Sequence, residues 1–321
     1  MTNFPTHALH IEGLHKRYEN HVAVAGLDLK VPAGCIYGIL GPNGAGKSTT
    51  IRCALNIVAR DGGSISIFGV DPRADRTILR RVGYLPEERG LYKSMSVMDV
   101  IVFFARLKGI AAGAARATAE RWLERMGLGD WRRAKVEALS KGMQQKVQFI
   151  TTVVHEPELL ILDEPTAGLD PVNQEVMRET ILGARKDGRT VVFSTHNMDQ
   201  AESLCESVCI IAQGEKVLDG ALHDIRRSFR SNRYRVLFDG ATALPPVDNA
   251  EPSVLRDVQA CAQGWEFSLA PGADAGAAFA VLHALRVPIA RFEHIEPSLH
   301  QIFIERVRVR AQPVRREIAN V

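Results

Sequence analysis

A glycine-rich run near the N-terminus has the composition and spacing of a phosphate-binding loop. Its residues are Gly41, Pro42, Asn43, Gly44, Ala45, Gly46, Lys47, Ser48 and Thr49. Glycines let successive backbone N–H groups turn toward a polyphosphate, Lys47 can reach the terminal phosphates, and the Ser48 hydroxyl can ligate Mg²⁺. A simple turn beside a buried lysine is the alternative, but it would not require an apolar strand before the run and a helix after it. The run predicts a site for a nucleoside triphosphate.

Two adjacent carboxylates, Asp163 and Glu164, follow the apolar run 159–162. A strand in a parallel sheet would carry them to the carboxyl edge of that sheet, where the phosphate loop is also expected. Asp163 is predicted to hold Mg²⁺, usually through water, whereas Glu164 points in another direction and can polarise an attacking water. The alternative is a polar strand end without a catalytic role. Together with the loop, the pair favours hydrolysis of the triphosphate.

A third segment, 139–146, reads Leu-Ser-Lys-Gly-Met-Gln-Gln-Lys and precedes a predicted helix that runs to about His155. Its backbone amides and the Ser140 hydroxyl would lie at the positive end of that helix, which favours anions. The run Gly168-Leu169-Asp170 and then His196 follow along the chain. With these segments, the sequence resembles the nucleotide-binding subunit of an ATP-binding cassette (ABC) transporter over about residues 7–225.

The resemblance implies a head-to-tail dimer that traps two ATP molecules with Mg²⁺. Each ATP would lie between the 41–49 loop of one subunit and the 140–144 segment of the other, in a homodimer or in a heterodimer with a related ATPase. The family signature is usually written Leu-Ser-Gly-Gly-Gln, from which Lys141 and Met143 depart. Ser140 and Gly142, which face phosphate, are retained, and Gln144 is assigned to the same nucleotide-binding segment.

The resemblance also implies roles for single residues. Asp170 would lie at the dimer interface beside the nucleotide, Tyr18 would stack on adenine, and His196 would contact the γ-phosphate and orient the water. Glu164, His196 and Lys47 form the predicted catalytic set. Apart from the family, His196 is also compatible with a histidine at a helix N-terminus, and Tyr18 with a surface position.

Glu87 is a departure from the family pattern, which normally has glutamine after the third strand. A carboxylate at this position can approach Mg²⁺ directly or through water, but it cannot donate an amide hydrogen bond. A solvated loop charge is the alternative. The sequence of residues 86–92 resembles that of a subgroup of exporter ATPases, which includes sodium-extruding and drug-resistance systems. In this family a short helix of the membrane subunit packs nearby, which makes Tyr92, Met95, Met98 and Phe103 candidates for contact.

The order of elements predicts an α/β fold, a P-loop NTPase with a mainly parallel sheet and a small α+β C-terminal domain. Mostly apolar runs without alternation at 36–40, 159–162 and 191–194 are typical of strands covered on both faces, and 10–14 with 22–31 suggest an antiparallel pair. The ATPase domain is assigned to 1–228, with a helical subdomain at about 88–156, and the accessory domain to 229–321. In the accessory domain we predict strands 233–238, 254–261, 265–269 and 289–294, helices 276–285 and 297–306, and a loop at 241–252.

Composition limits the cellular compartments and the kinds of partner that are compatible with this chain. The net charge of +3 over 321 residues is too small to indicate nucleic acid as a partner. The five cysteines lack the spacing of a disulfide framework and are typical of a reducing cytoplasm, although Cys205 and Cys209, one helical turn apart near His196, leave a metal site open. No apolar run approaches the ~20 residues that cross a bilayer. Any membrane role would therefore come through a separate integral membrane permease, with this chain peripheral on its cytoplasmic side.

The predicted function is an ATPase that closes as a dimer on MgATP and powers export by that permease. A soluble ATPase of the same superfamily, acting on DNA or on the ribosome, is the alternative. An ATPase acting on DNA would require a long coiled-coil insertion between the phosphate loop and the signature. A ribosome-associated ATPase normally has two cassettes in one chain. The sequence has neither feature.

Overall fold

The computed structural model describes residues 6–88, 90–230, 232–239, 254–262 and 264–311, with side chains up to residue 307. The predicted loop at 241–252 lies outside these residues. The chain forms two compact units that meet in sequence between Leu222 and His223, and the second unit is His223–Glu305.

A six-stranded sheet forms the centre of the first unit, in the order β5-β6-β7-β3-β8-β9. The strands are β3 (Ile36–Leu40), β5 (Val82–Leu85), β6 (Leu159–Asp163), β7 (Thr190–Thr195), β8 (Ser207–Ala212) and β9 (Glu215–Ala221). All neighbours are parallel except β8 and β9. Every residue of β3, β6 and β7 is buried, which explains why their sequences are mostly apolar and do not alternate with polar residues. The predicted parallel sheet is therefore confirmed.

A three-stranded antiparallel sheet packs against the first one, in the order β2-β1-β4. Its strands are β1 (His7–Tyr18), β2 (His21–Pro32) and β4 (Gly62–Ile67). Side chains of this sheet such as Ile11 and Leu29 share one hydrophobic core with Ile39, Ile161 and Val192 of the parallel sheet. The predicted antiparallel pair is confirmed and extended by β4, which the sequence analysis did not predict.

Helices surround the parallel sheet and form the helical insert. They are α1 (Lys47–Ala54), α2 (Val97–Leu107), α3 (Ala112–Arg125), α4 (Lys141–Val153), α5 (Pro171–Lys186) and α6 (Met198–Leu204), and α7 (Leu222–Ser228) follows where the two units meet in sequence. In the insert, Ser96 caps α2 by accepting a hydrogen bond from the backbone N–H of Asp99 at 3.1 Å. Gly109 and Gly127 follow α2 and α3 with φ of +96° and +66°, as expected of helix stops. Helices α2, α3 and α4 pack together, in agreement with the predicted helical region.

The second unit is an antiparallel sheet with a helix on one face. Its strands, in the order β11-β12-β10-β13, are β10 (Arg233–Phe238), β11 (Leu255–Cys261), β12 (Gly264–Leu269) and β13 (Ile289–His294). Helix α8 (Ala275–Ala284) contributes Leu282 to a core that contains Val236, Trp265 and Phe267, and α9 (Leu299–Ala311) follows. The strands and helices predicted for this region are all present, with bounds shifted by a few residues.

Candidate functional site

The loop between β3 and α1 has the backbone that its glycines predict. Gly41, Gly44 and Gly46 have φ of +152°, +77° and +104°. A Cβ at Gly41 would lie 2.1 Å from the Ile211 carbonyl oxygen, and one at Gly46 would lie 2.3 Å from that of Ala23. Only glycine fits these two positions, because any side chain would collide with backbone that cannot move aside.

Lys47, the first residue of α1, turns its ammonium group back over this loop. Its Nζ donates to the carbonyl oxygens of Gly41 at 2.8 Å and Pro42 at 3.1 Å, and lies 3.9 Å from Oε1 of Glu164. Burial lowers the pKa of Lys47, while the negative charges of Glu164, Asp163 and Glu87 act in the opposite direction. The lysine is thus a buried cation held among carboxylates and carbonyl oxygens, which suits it to a polyanionic ligand.

Asp163 ends β6 and is fully buried. Its Oδ1 accepts hydrogen bonds from the hydroxyls of Ser48, at 3.1 Å, and of Ser194. Its Oδ2 is buried without a hydrogen-bond partner among the described residues. An unpaired carboxylate oxygen beside a serine hydroxyl fits Mg²⁺, which is usually bound through one or two carboxylates plus phosphate and water oxygens. Ser194, at the end of β7, was not predicted, since no local pattern marks it.

Glu164 follows Asp163 in a left-handed backbone conformation, with φ of +48°. Its Oε1 accepts from the backbone N–H of His196 at 3.0 Å and lies 2.8 Å from Nδ1 of the same residue. Its Oε2 accepts from the Thr195 hydroxyl at 3.3 Å. The left-handed turn sends this carboxylate along the end of β7, whereas Asp163 faces Ser48. The imidazole of His196 is 58% exposed and therefore accessible to a ligand.

A cavity of about 490 Å³, here called the loop cavity, joins most of the predicted site residues. It is lined by Tyr18, His21, Ala23, Asn43, Gly44, Ala45, Gly46, Lys47, Ser48, Thr49, Glu87 and Glu164. Tyr18 is half-exposed at its rim. His21 and Ala23 were not predicted; the β1–β2 hairpin brings them in, because its register pairs Tyr18 with His21. The cavity combines a flat aromatic ring, a phosphate loop and carboxylates, a set that suits a magnesium-bound nucleotide.

The signature residues are not part of the loop cavity. Ser140 is exposed and caps α4 by accepting from the backbone N–H of Met143 at 3.2 Å. Gln144 donates its side-chain amide to the Leu139 carbonyl oxygen at 3.0 Å and to that of Val136 at 3.3 Å. These bonds fix the turn before α4, and neither they nor Gly142 reach the phosphate loop of the same chain.

Asp170 is also exposed and away from the loop cavity. It caps α5 by accepting from the backbone N–H of Asn173 at 3.0 Å, and this hydrogen bond lowers the pKa of its carboxyl group. The structure therefore separates the predicted site residues into a group at or beside the loop cavity and an exposed group, Ser140 and Asp170, on the starts of α4 and α5, with Gly142 and Gln144 half-buried after Ser140.

A second cavity, of about 360 Å³ and here called the helical cavity, lies between β5, α2 and α4. Its lining includes Tyr84, Leu91, Phe104 and Leu107. Of the predicted contact candidates, Met98 is only 5% exposed and belongs to the core, so that assignment was wrong.

Tyr92 is 53% exposed and packs edge-on against Phe103, with ring centroids 5.4 Å apart. These two aromatics form an accessible surface near Leu91 and the mouth of this cavity.

The alternative of a cysteine metal site is wrong. Cys205 terminates α6 and Cys209 lies on β8, so the two thiols are not one helical turn apart. Burial raises the pKa of both thiols, which disfavours the thiolate that a metal requires. Within the described ranges, no group of three or more histidine, cysteine, aspartate and glutamate side chains could hold a metal ion. Among the described residues, none of the helices has the length and apolar character needed to span a membrane.

Both the N-terminal and the C-terminal parts of the chain are similar in sequence to known proteins. Residues 24–167 match the ABC transporter family, and residues 220–307 match the C-terminal domain of DrrA1-3-like ATP-binding proteins. The uncharacterized ABC transporter ATP-binding protein YhaQ of Bacillus subtilis is 42% identical over 93% of this chain and 98% of its own length. The daunorubicin/doxorubicin resistance ATP-binding protein DrrA of Streptomyces peucetius is 36% identical over 74% of this chain and 72% of its own.

The fold is also shared with a solved structure. The ATP-binding subunit of an ABC transporter superposes with a TM-score of 0.65 at 30% identity, and the match covers 69% of this chain and 93% of that one. These similarities confirm the predicted P-loop ATPase fold and favour a transporter subunit over the soluble alternative. The chain belongs to the ATP-binding proteins of ABC transporters, the ATPase subunits of these systems.

Proposed function

We propose that this ATPase hydrolyses MgATP at the interface of a dimer and drives export through a separate membrane permease. The observation that carries the proposal is the position of Glu164, which contacts His196 and lies near the Lys47 ammonium at the edge of the loop cavity. Relatives named for drug resistance and for Nod factor export support the export direction. The transported substrate would be recognised by the permease.

In the proposed reaction, Glu164 removes a proton from a water molecule as that water attacks the γ-phosphorus, and the bond to the ADP oxygen breaks. His196 orients the water, and Lys47 leaves its carbonyl partners to neutralise phosphate charge. Ser48 and Asp163 would hold Mg²⁺, with Glu87 nearby, and the bound ion would neutralise further phosphate charge. Tyr18 would stack on the adenine ring at the cavity rim.

The exposed group completes the site from a second copy or a related ATPase. Ser140, Gly142 and Gln144 would bring the positive end of α4 to the γ-phosphate of the partner's nucleotide, and Asp170 would lie beside the same interface. Ser140 and Asp170 are exposed, Gly142 and Gln144 are half-buried, and none of the four lines the loop cavity of its own chain, which supports this arrangement.

The permease would hold the dimer at the inner face of the cell membrane. We propose that a short permease helix packs at the helical cavity, where Tyr92 is exposed and packs against the half-buried Phe103. The domain limits are also proposed: an ATPase domain at 1–228, with its helical subdomain at about 88–156, and an accessory domain at 229–321. The compact units, divided after Leu222, support a boundary in this region.

Complementation between two damaged chains tests the dimeric site. Lys47→Ala removes the phosphate ligand but leaves the signature intact, and Ser140→Asp keeps the helix cap but sets a carboxylate against the γ-phosphate. A like-charge contact costs several kcal/mol, so Ser140→Asp should lower ATPase activity about a hundredfold, whereas the neutral cap Ser140→Asn should retain most of it.

We expect a mixture of the two damaged chains to hydrolyse ATP faster than either alone, because a mixed dimer contains one complete site. The measurement is steady-state phosphate release at equal total protein. A mixture no more active than its components would contradict the shared site.

A further inference from the structure

Gln148 connects α4 to the turn that carries Glu87. Its side chain is 3% exposed, and its amide nitrogen donates to the backbone carbonyl oxygens of Glu88 at 3.1 Å and Pro86 at 3.3 Å. These carbonyls flank Glu87, which lines the loop cavity. The side chain therefore holds the backbone on both sides of that carboxylate.

The orientation of the Gln148 amide follows from the same contacts. Its amide oxygen is buried and accepts no hydrogen bond from the described part of the chain. Only the NH₂ end of the amide can donate to carbonyl oxygens, so the two bonds determine which way the group faces. An apolar side chain of similar length would fill the space without either bond, and a carboxylate would direct its charge at two carbonyl oxygens.

Gln148 lies on the same helix, α4, that follows the signature. The helix begins at the signature residue Ser140 and reaches the 86–88 turn at Gln148, two turns later. Glu87 cannot donate an amide hydrogen bond from the turn itself. The donors come instead from the neighbouring helix, and they bind the turn to the element that carries the signature.

We infer that Gln148 is a positioning residue that holds Glu87 at the metal side of the loop cavity and ties that carboxylate to α4. This inference rests on the proposed role of Glu87 near Mg²⁺. Release of the turn would let Glu87 move away from the cavity, which lowers metal affinity in the nucleotide complex. Phosphate binding by Lys47 and the loop would remain.

Equilibrium metal binding tests the inference without catalysis. The purified full-length chain is titrated with Mn²⁺ in the presence of a non-hydrolysable ATP analogue, and free Mn²⁺ is followed by electron paramagnetic resonance. Loss of a residue that orients a metal ligand typically lowers affinity 10–100-fold, so Gln148→Met should weaken Mn²⁺ binding about tenfold. The metal-free affinity for the analogue should not change.

Thr152→Val is the matched control. The Thr152 hydroxyl lies one helical turn beyond Gln148 on α4, 3.3 Å from the carbonyl oxygen of Tyr84, which precedes the 86–88 turn. It does not contact the carbonyls beside Glu87. The variant should bind Mn²⁺ within about twofold of the unmodified chain, a change below 0.5 kcal/mol. Gln148→Glu, which keeps the side-chain volume, gives a second test if the methionine variant folds poorly.

Glu87→Gln, alone and combined with Gln148→Met, separates the possible outcomes. The inference predicts that the double variant binds Mn²⁺ as weakly as Glu87→Gln alone, because both changes act on the same carboxylate. If Glu87→Gln weakens the metal and the Gln148 variants do not, or if the two effects multiply, the inference is wrong. If Glu87→Gln leaves Mn²⁺ affinity unchanged, the proposed metal role of Glu87 fails, and the inference with it.

Discussion

The loop cavity and the signature segment are both marked by sequence motifs, but one is buried and the other is exposed at its start. At the cavity, Lys47, Asp163 and Glu164 are all buried and bound to one another or to the ends of neighbouring strands. At the signature, Ser140 is exposed, and its hydrogen bond only caps its own helix.

Burial distinguishes a site that is assembled within one chain from a surface that is available to bind another molecule. Buried charges are tolerated only when they are paired, so the cavity groups must be arranged before the ligand binds. An exposed helix start needs no such pairing, because water can accept hydrogen bonds from its first backbone N–H groups. Helix α4 contains both situations, since its start is exposed and its far end, with Gln148 and Val153, is buried.

Glu164→Gln should give the largest effect and tests the chemistry assigned to the cavity. The amide can still accept from the His196 backbone N–H but cannot take a proton, and a general base typically contributes 10²–10⁴-fold. We expect kcat to fall about a thousandfold with ATP binding retained, measured by single-turnover hydrolysis and equilibrium nucleotide binding. Hydrolysis at the unmodified rate would remove Glu164 from its role.

His155 is buried two residues after the end of α4 and tests whether this region serves stability rather than chemistry. Burial, followed by the nearby Lys108 charge, lowers the pKa of His155 from 6.5 to about 4. The folded state therefore favours the neutral ring, so its contribution to stability is complete above pH 6.5 and is lost as the pH falls toward 4.

The shift corresponds to about 3 kcal/mol in the free energy of unfolding. His155→Gln keeps a donor for the Val82 carbonyl oxygen, which the ring nitrogen now contacts at 3.2 Å. Urea denaturation from pH 7.5 to 4 should show a flatter pH dependence for this variant. Parallel curves for the two proteins would contradict the assignment.

Tyr18 should give the smallest effect and tests the rim of the cavity. Stacking of a base on an aromatic ring is worth about 1–3 kcal/mol, so Tyr18→Ala should raise the KM for ATP about tenfold with little change in kcat. Tyr18→Phe keeps the ring and serves as the control. Equal KM values for the alanine and phenylalanine variants would show that the ring does not bind adenine.

Much of this architecture was predictable because its signals are local. The runs 36–40 and 159–162 predicted buried parallel strands, and the helix predicted after the 139–146 segment is α4. Strand β4 was missed because Gly62–Ile67 begins with two glycines and is recognisable as a strand mainly through its pairing with β1. The assumed helical spacing of Cys205 and Cys209 failed because α6 ends at Leu204 and a strand begins at Ser207.

The sequence by itself determined the class of ligand and the reaction, since the phosphate loop and the carboxylate pair are each encoded by consecutive residues. The tertiary structure alone decided how they meet. Strand β7 lies between β6 and β3 and brings Ser194 to Asp163, and α4 brings Gln148 to the turn around Glu87. These contacts join residues 31 to 62 positions apart, and only the packing of whole elements sets such pairs.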